Sequence, residues 1–130
     1  MPSYAVVLLI LAFTVFQPDE TVRRYGGADR EWVAQTLDGA AFSAMATLSF
    51  PSRNLISGQG PCNSYHSTNV TPYPWIKLGP IAATRRACPD LALERRFFNA
   101  LDQATIVRVE GDTLTLSDEN STLLTFTARD

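Results

Sequence analysis

Residues 90–127 read DLALERRFFNALDQATIVRVEGDTLTLSDENSTLLTFT, and a change of hydrophobic period inside this stretch decides the fold. Up to Ala104 the apolar residues Leu93, Phe97, Leu101 and Ala104 recur at i, i+4, i+8 and i+11, with Phe98 beside them. That spacing lines one face of an amphipathic helix. Pro89 suits the first turn of the helix, because its missing N–H would have no intrahelical partner there. From Thr105 the period drops to two. Residues 105–110 and 113–117 flank Gly111-Asp112 as a hairpin, with Val107 and Val109 on one face and Leu114 and Leu116 on the facing strand. Asp118-Glu119-Asn120 turns the chain into a last strand, 122–127.

Working back towards the N-terminus, the same short period-two segments recur from Glu31 onward. Residues 32–37 read as a strand, Asp38-Gly39 as a hairpin turn, and 44–50 as a second strand in which Ala46, Leu48 and Phe50 alternate with Met45, Thr47 and Ser49. Pro51-Ser52-Arg53-Asn54 turns the chain into a short strand at 55–57. The Gly-, Ser- and Asn-rich stretch 58–67 reads as a loop leading to a strand near 68–71. Pro72-Tyr73-Pro74 forbids ladder pairing on both sides of Tyr73. Residues 75–78 resume as a strand, stopped by Gly79-Pro80, and 81–87 are extended. The expected fold class is therefore α+β, a curved antiparallel sheet, partly closed into a barrel, packed on one main helix.

The chain has 130 residues, 45% of them apolar and 18% charged, with two Cys. That size and composition fit one ordinary domain with a real core. Eleven basic and thirteen acidic residues give a net charge of −2, which disfavours a nucleic-acid partner whose phosphates must be neutralised. One His and no acidic cluster argue against metallohydrolase and acid/base sites, which need several convergent titratable groups. Before the strands, residues 5–16 form an unbroken apolar run, AVVLLILAFTVF. It is shorter than the roughly 20 residues of a membrane-spanning helix and matches the h-region of an export signal. Residues 1–28 are thus expected to be a signal peptide or an N-terminal anchor helix, with Gly26-Gly27-Ala28 the nearest small-residue site, and 29–130 the domain.

Four pieces of the pattern, in order, resemble the META/HslJ-like domain family. They are 32–37 with Asp38-Gly39; Ser57-Gly58 leading through Gly60-Pro61-Cys62-Asn63-Ser64-Tyr65; Ile81-Ala82-Ala83-Thr84-Arg85-Arg86-Ala87-Cys88 followed by Glu94 and the helix; and Gly111-Asp112 with Leu114, Leu116, Leu124 and Phe126. The resemblance implies an exported, periplasmic or envelope domain with stress-related associations and no established catalytic site. Pro61 stands where the family usually has Gly, Ser64 where it often has Arg, and Tyr65-His66-Ser67 lacks the Gly common there. The lipid-anchoring Cys of some exported members is absent.

Cys62 and Cys88 are the most informative pair. Two Cys in an exported chain read as one disulfide, and closing the 26-residue separation stabilises a domain by roughly 3.5 kcal/mol on the chain-entropy model. The competing readings are a redox or catalytic thiol at Cys88, whose place at a helix N-terminus favours the thiolate, and a metal held by Cys62, His66 and Cys88, which lacks a fourth ligand. His66 beside Ser64 and Ser67 is too close in sequence for the geometry of nucleophilic hydrolysis. Gly58-Gln59-Gly60 reads as a tight turn. No cofactor is expected.

Binding surfaces remain. Arg85-Arg86 and Arg95-Arg96 gather four cations suited to an anionic lipid head group or acidic partner if they share a face, with Arg85 a candidate internal partner of Glu94. Tyr65, Tyr73 and Trp75 offer an aromatic platform for a peptide or sugar. The candidate binding residues are Asn63, Tyr65, Trp75, Arg85 and Arg86. The expected molecule is a non-enzymatic monomer that binds an envelope protein, peptide or lipid and meets the membrane through its N-terminal segment. The alternative is a thiol-dependent redox protein or enzyme using Cys88.

Overall fold

The computed structural model describes residues 19–129; the apolar run at 5–16 lies outside them. The described residues hold nine strands: β1 (Glu31–Leu37), β2 (Ala40–Ala41), β3 (Thr47–Ser52), β4 (Leu55–Gln59), β5 (Ser64–Thr68), β6 (Ala82–Ala83), β7 (Ile106–Glu110), β8 (Thr113–Ser117) and β9 (Thr122–Arg129). They form one antiparallel sheet in the order β6-β5-β4-β3-β1-β9-β8-β7, with β2 hairpinned onto β1. The helix α1 (Leu91–Gln103) follows β6. Among the described residues no helix is long and apolar enough to cross a membrane.

Curvature comes from register shifts, which bend a strand and raise its twist. They fall at Ala34/Thr36 between β1 and β9, at Ser49/Ser52 between β3 and β4, and at Leu116/Ser117 between β8 and β9. Pro51 is accommodated inside β3 at one of these irregular points, where a missing N–H removes no ladder bond. The bent sheet wraps α1. Phe97, fully buried, meets Tyr65 of β5 at 5.9 Å and Phe126 of β9 at 6.3 Å between ring centroids, so the helix is packed across most of the sheet's width. Phe97, Leu101 and Ala104 are buried as the helical face requires, and Trp32, Leu48, Ile56, Val107, Leu114, Leu116 and Leu124 line the sheet's inner face. Each fully buried large side chain contributes about 1.5–3 kcal/mol.

Four expectations are corrected. The sheet is not closed into a barrel: it ends at β6 and β7, and residues 69–78 meet β7 through one isolated bridge, Trp75 to Ile106, while a second bridge, Asn69 to Leu78, joins the ends of that segment to each other. The stretch 58–67 is not one loop. Gly58 and Gln59 complete β4, residues 60–63 turn, and β5 pairs with β4 from Gln59/Ser64 to Leu55/Thr68. Gly58 is required there, because a Cβ would lie 2.2 Å from the Thr47 carbonyl oxygen. Residues 75–78 form no strand, and Pro89 stands before α1, whose N-cap is Asp90.

Residues 19–28, grouped above with the N-terminal segment, pack on the body. A kinked turn, Arg23–Gly27, with Gly26 at positive φ, covers one end of the sheet. Val22 is buried, the Arg23 Nε donates to the Phe50 carbonyl at 2.8 Å, and the buried Trp32 indole donates to the Gly27 carbonyl at 3.3 Å. The Tyr73 N–H donates to the Glu20 carbonyl at 2.8 Å. Around Asp19, burial acts to raise the carboxyl pKa. Hydrogen bonds from the Thr21 hydroxyl and N–H, with the charges of Arg53 and Arg23, outweigh it and hold the group below its ordinary value.

Candidate functional site

Of the residues singled out by the sequence, Cys62, Asn63, Arg85, Arg86 and Cys88 come together at the start of α1. Cys62 and Cys88 form a disulfide with a Cα–Cα distance of 5.7 Å, tying the 60–63 turn to the segment that leads into the helix. One turn into α1 stands Glu94, 4% exposed. Its Oε2 accepts the backbone N–H groups of Cys62 at 2.8 Å and Asn63 at 2.7 Å, and its Oε1 accepts Asn63 Nδ2 at 2.7 Å. Asn63 extends the network. Its Oδ1 accepts from the Thr84 hydroxyl at 3.0 Å and the Arg86 N–H at 2.5 Å, and its Nδ2 also donates to the Arg86 carbonyl at 3.1 Å. Turn, β6 segment and helix are thus fastened through one amide and one carboxyl group. A Cβ at Gly60 would lie 2.6 Å from Glu94 Oε2, so the turn approaches the carboxyl as closely as a residue without a side chain permits.

The expected Arg85–Glu94 pair is absent from this arrangement: both Glu94 oxygens are taken by N–H groups of Cys62 and Asn63, and Arg85 is exposed. Beside the network opens a cleft of about 610 Å³, between the 81–87 segment and α1. Asn63 and Glu94 form its floor, Ile81, Leu91 and Phe98 its apolar walls, and Arg85 and Arg86 its rim. The four arginines do not share a face. Arg96 lies 3.7 Å from Asp38 at the β1–β2 turn, and Arg95 stands outside the cleft.

Nor does the aromatic platform assemble. Tyr65 is an interior residue whose hydroxyl donates to the Thr47 carbonyl at 2.7 Å, and burial pushes its phenol well above the usual tyrosine range. Tyr73 stacks on Tyr25, with ring centroids 4.5 Å apart and planes 10° from parallel. Trp75, two residues on, is 56% exposed.

His66 and Ser67 lie on opposite sides of β5, His66 exposed and Ser67 buried with its hydroxyl donating to the Gly79 carbonyl at 2.8 Å. His66 instead faces Ser57 across the strands, in a polar groove where the Ser49 and Ser57 hydroxyls are 3.0 Å apart. Among the described residues no three His, Cys, Asp or Glu side chains gather as a metal site. Sequence reasoning missed Glu94 as the hub. Its signal was a lone acidic residue in the first turn of a helix that follows a Cys.

An open, strongly bent antiparallel sheet filled by one helix, with a disulfide and a buried carboxyl locking the helix start, defines a small stapled α+β scaffold. The META domain family model matches residues 27–130, and the chain belongs to that family. Among solved structures, the chain is similar to the NMR structure of a protein from Burkholderia xenovorans, with 25% identity, a TM-score of 0.63, and coverage of 88% of this chain and 92% of that one. A second NMR structure shares 20% identity with a TM-score of 0.58, over 75% of this chain and 88% of the other. The crystal structure of a DUF4847 family protein from Bacteroides vulgatus shares the fold at 15% identity and a TM-score of 0.54, over 63% of this chain and 57% of that chain. No curated protein matches.

Proposed function

We propose that this META domain is an exported, non-enzymatic binding module of the cell envelope, and that the cleft beside β6 receives an extended acidic segment of a partner protein. The observation that carries the reading is the contrast within the cleft. Its floor has every polar group of Asn63 and Glu94 engaged, while the guanidinium-bearing Arg85 and Arg86 stand exposed at its rim. With these groups engaged among themselves, the part of the cleft left to meet a partner is its arginine rim. A rim of two arginines binds carboxylates through paired N–H donors. The exposed edge strand Ala82–Ala83 carries small side chains, which lets another backbone lie alongside. Export is supported by the apolar run at 5–16 and by the disulfide, which is compatible with an oxidising compartment.

The test is fluorescence anisotropy with a labelled extended peptide of alternating Glu and Val. Binding should weaken at least about tenfold in the Arg85→Ala, Arg86→Ala double variant, because two charge-assisted pairs are lost, and should fall with salt. Equal binding by both proteins would remove the cleft from consideration. The redox alternative requires the Cys62–Cys88 bond to open and Cys88 to react. Thiol titration of the native exported protein decides it, a fast-reacting Cys88 counting against the binding module.

A further inference from the structure

We infer that the end of the molecule carrying Tyr25, Tyr73 and Trp75 is a membrane-contacting surface, seated in the head-group layer of an anionic bilayer when residues 5–16 are inserted. The inference rests on reading the apolar run as a retained membrane segment, and is independent of the acidic-peptide cleft.

The first support is the length of chain between the run and the body. The run ends at Phe16 and the first described residue is Asp19. Three residue steps span at most about 11 Å when fully extended. From Asp19 the chain has no slack. The Glu20 carbonyl accepts the Tyr73 N–H, Val22 is buried, and Tyr25 is stacked on Tyr73. An inserted residue 16 therefore holds the Glu20/Tyr73 end of the body at the depth of the lipid head groups, whose layer is itself several ångströms thick.

The second support is the composition of that end. Trp75 is 56% exposed and Tyr25 47% exposed although it is stacked. Val70, next to the Thr71 whose hydroxyl donates to the Trp75 carbonyl at 3.2 Å, is 73% exposed. These are three of the five large apolar residues that the described part of the molecule exposes. Trp and Tyr are the side chains enriched where a bilayer meets water, their rings lying among the head groups with the polar edge wet. Exposed Arg24 and Lys77 belong to the same segments and favour an anionic surface, with exposed Glu20 opposing them. The backbone around Trp75 is held, its N–H donating to the Pro72 carbonyl at 2.9 Å. The indole is thus presented by a fixed support.

The two tryptophans make the test direct, because Trp32 is fully buried and Trp75 is exposed. The full chain is reconstituted into vesicles of phosphatidylethanolamine and phosphatidylglycerol containing lipids spin-labelled either at the head group or deep in the acyl chain, and Trp emission is recorded. A blue shift on insertion is expected, with quenching at least about twofold stronger from the shallow label, since interfacial rings sit at head-group level. Both effects should vanish in Trp75→Phe, which leaves the buried Trp32 as the reporter. Vesicle flotation is measured in parallel. A protein that floats but shows no Trp75 quenching overturns the surface while leaving the anchor intact. A protein that does not float overturns the anchor and the surface together.

Discussion

At the β7 edge of the sheet, the backbone groups that would face water are taken up by residues 73–76, whereas at the β6 edge Ala82 and Ala83 stand exposed beside a cleft. The Val107 N–H donates to the Pro74 carbonyl at 2.8 Å, the Ile76 N–H to the Thr105 carbonyl at 3.0 Å, and the Val109 N–H to the Tyr73 hydroxyl at 3.1 Å. An unpaired strand edge invites further strands, and folded proteins cover or shorten such edges. Here one edge is covered by the chain itself. The other is only two residues long and is followed by Arg85 and Arg86. What fastens them differs too: aromatic stacking and a kinked turn at the β7 end, a disulfide and a buried carboxyl at the β6 end. Rigidity and openness are thus combined at β6.

The largest effect that would break this comparison is expected at Glu94. Glu94→Ala leaves the N–H groups of Cys62 and Asn63 without their buried acceptor, and should cost about 4 kcal/mol in a urea titration, from two or more unsatisfied groups at roughly 1–3 kcal/mol each. A loss below about 1 kcal/mol, the range of an ordinary net hydrogen bond, would show that the corner is held by the disulfide alone. A smaller effect is expected on the covered edge. Tyr73→Phe keeps the ring stacked on Tyr25 but strips the Val109 N–H of its acceptor, for about 1 kcal/mol and faster amide exchange at Val109. Unchanged exchange there would mean that the edge does not depend on the phenol.

The smallest effect concerns pH. The Asp19 carboxyl is held below its ordinary value of 3.8, so the stability it contributes is fully present above that value and disappears as the pH falls through the lower, folded-state pKa. Wild type and Asp19→Asn should differ in urea midpoint at neutral pH and converge in strong acid. A constant difference would remove Asp19 as a fastening of the 19–28 segment.

The helical face of 93–104, the turn at Asp38-Gly39 and the hairpin around Gly111-Asp112 were legible because period and turn chemistry agree there; the strand paired across the first turn is Ala40–Ala41 and not the expected 44–50, of which only the part from Thr47 becomes β3. Asp38, Gly39 and Gly111 all adopt the positive φ that such turns need. The Cys62–Cys88 pairing was legible from the count of two. β5 was not. Ser64-Tyr65-His66-Ser67-Thr68 buries Tyr65 and a hydrogen-bonded Ser67 on its inner face, so polarity alternates too weakly to mark a strand. Residues 19–28 escaped notice because their burial rests on long-range partners, Phe50 and Tyr73, that no local pattern announces. Glu94 looked like a partner for a cation. Its actual partners are N–H groups of a turn far away in sequence, and the cleft they stabilise could not be read without the turn's position.

The disulfide has one more consequence. β5, the aromatic crossing at 69–78 and β6 all lie between Cys62 and Cys88, so they belong to a single covalent ring. A protease that cuts the chain at the exposed Val70 produces no separate fragment: the two halves stay joined through sulfur, the mass rises by one water, and the C-terminal piece comes away only when a reductant is combined with a denaturant that undoes the β1–β9 pairing.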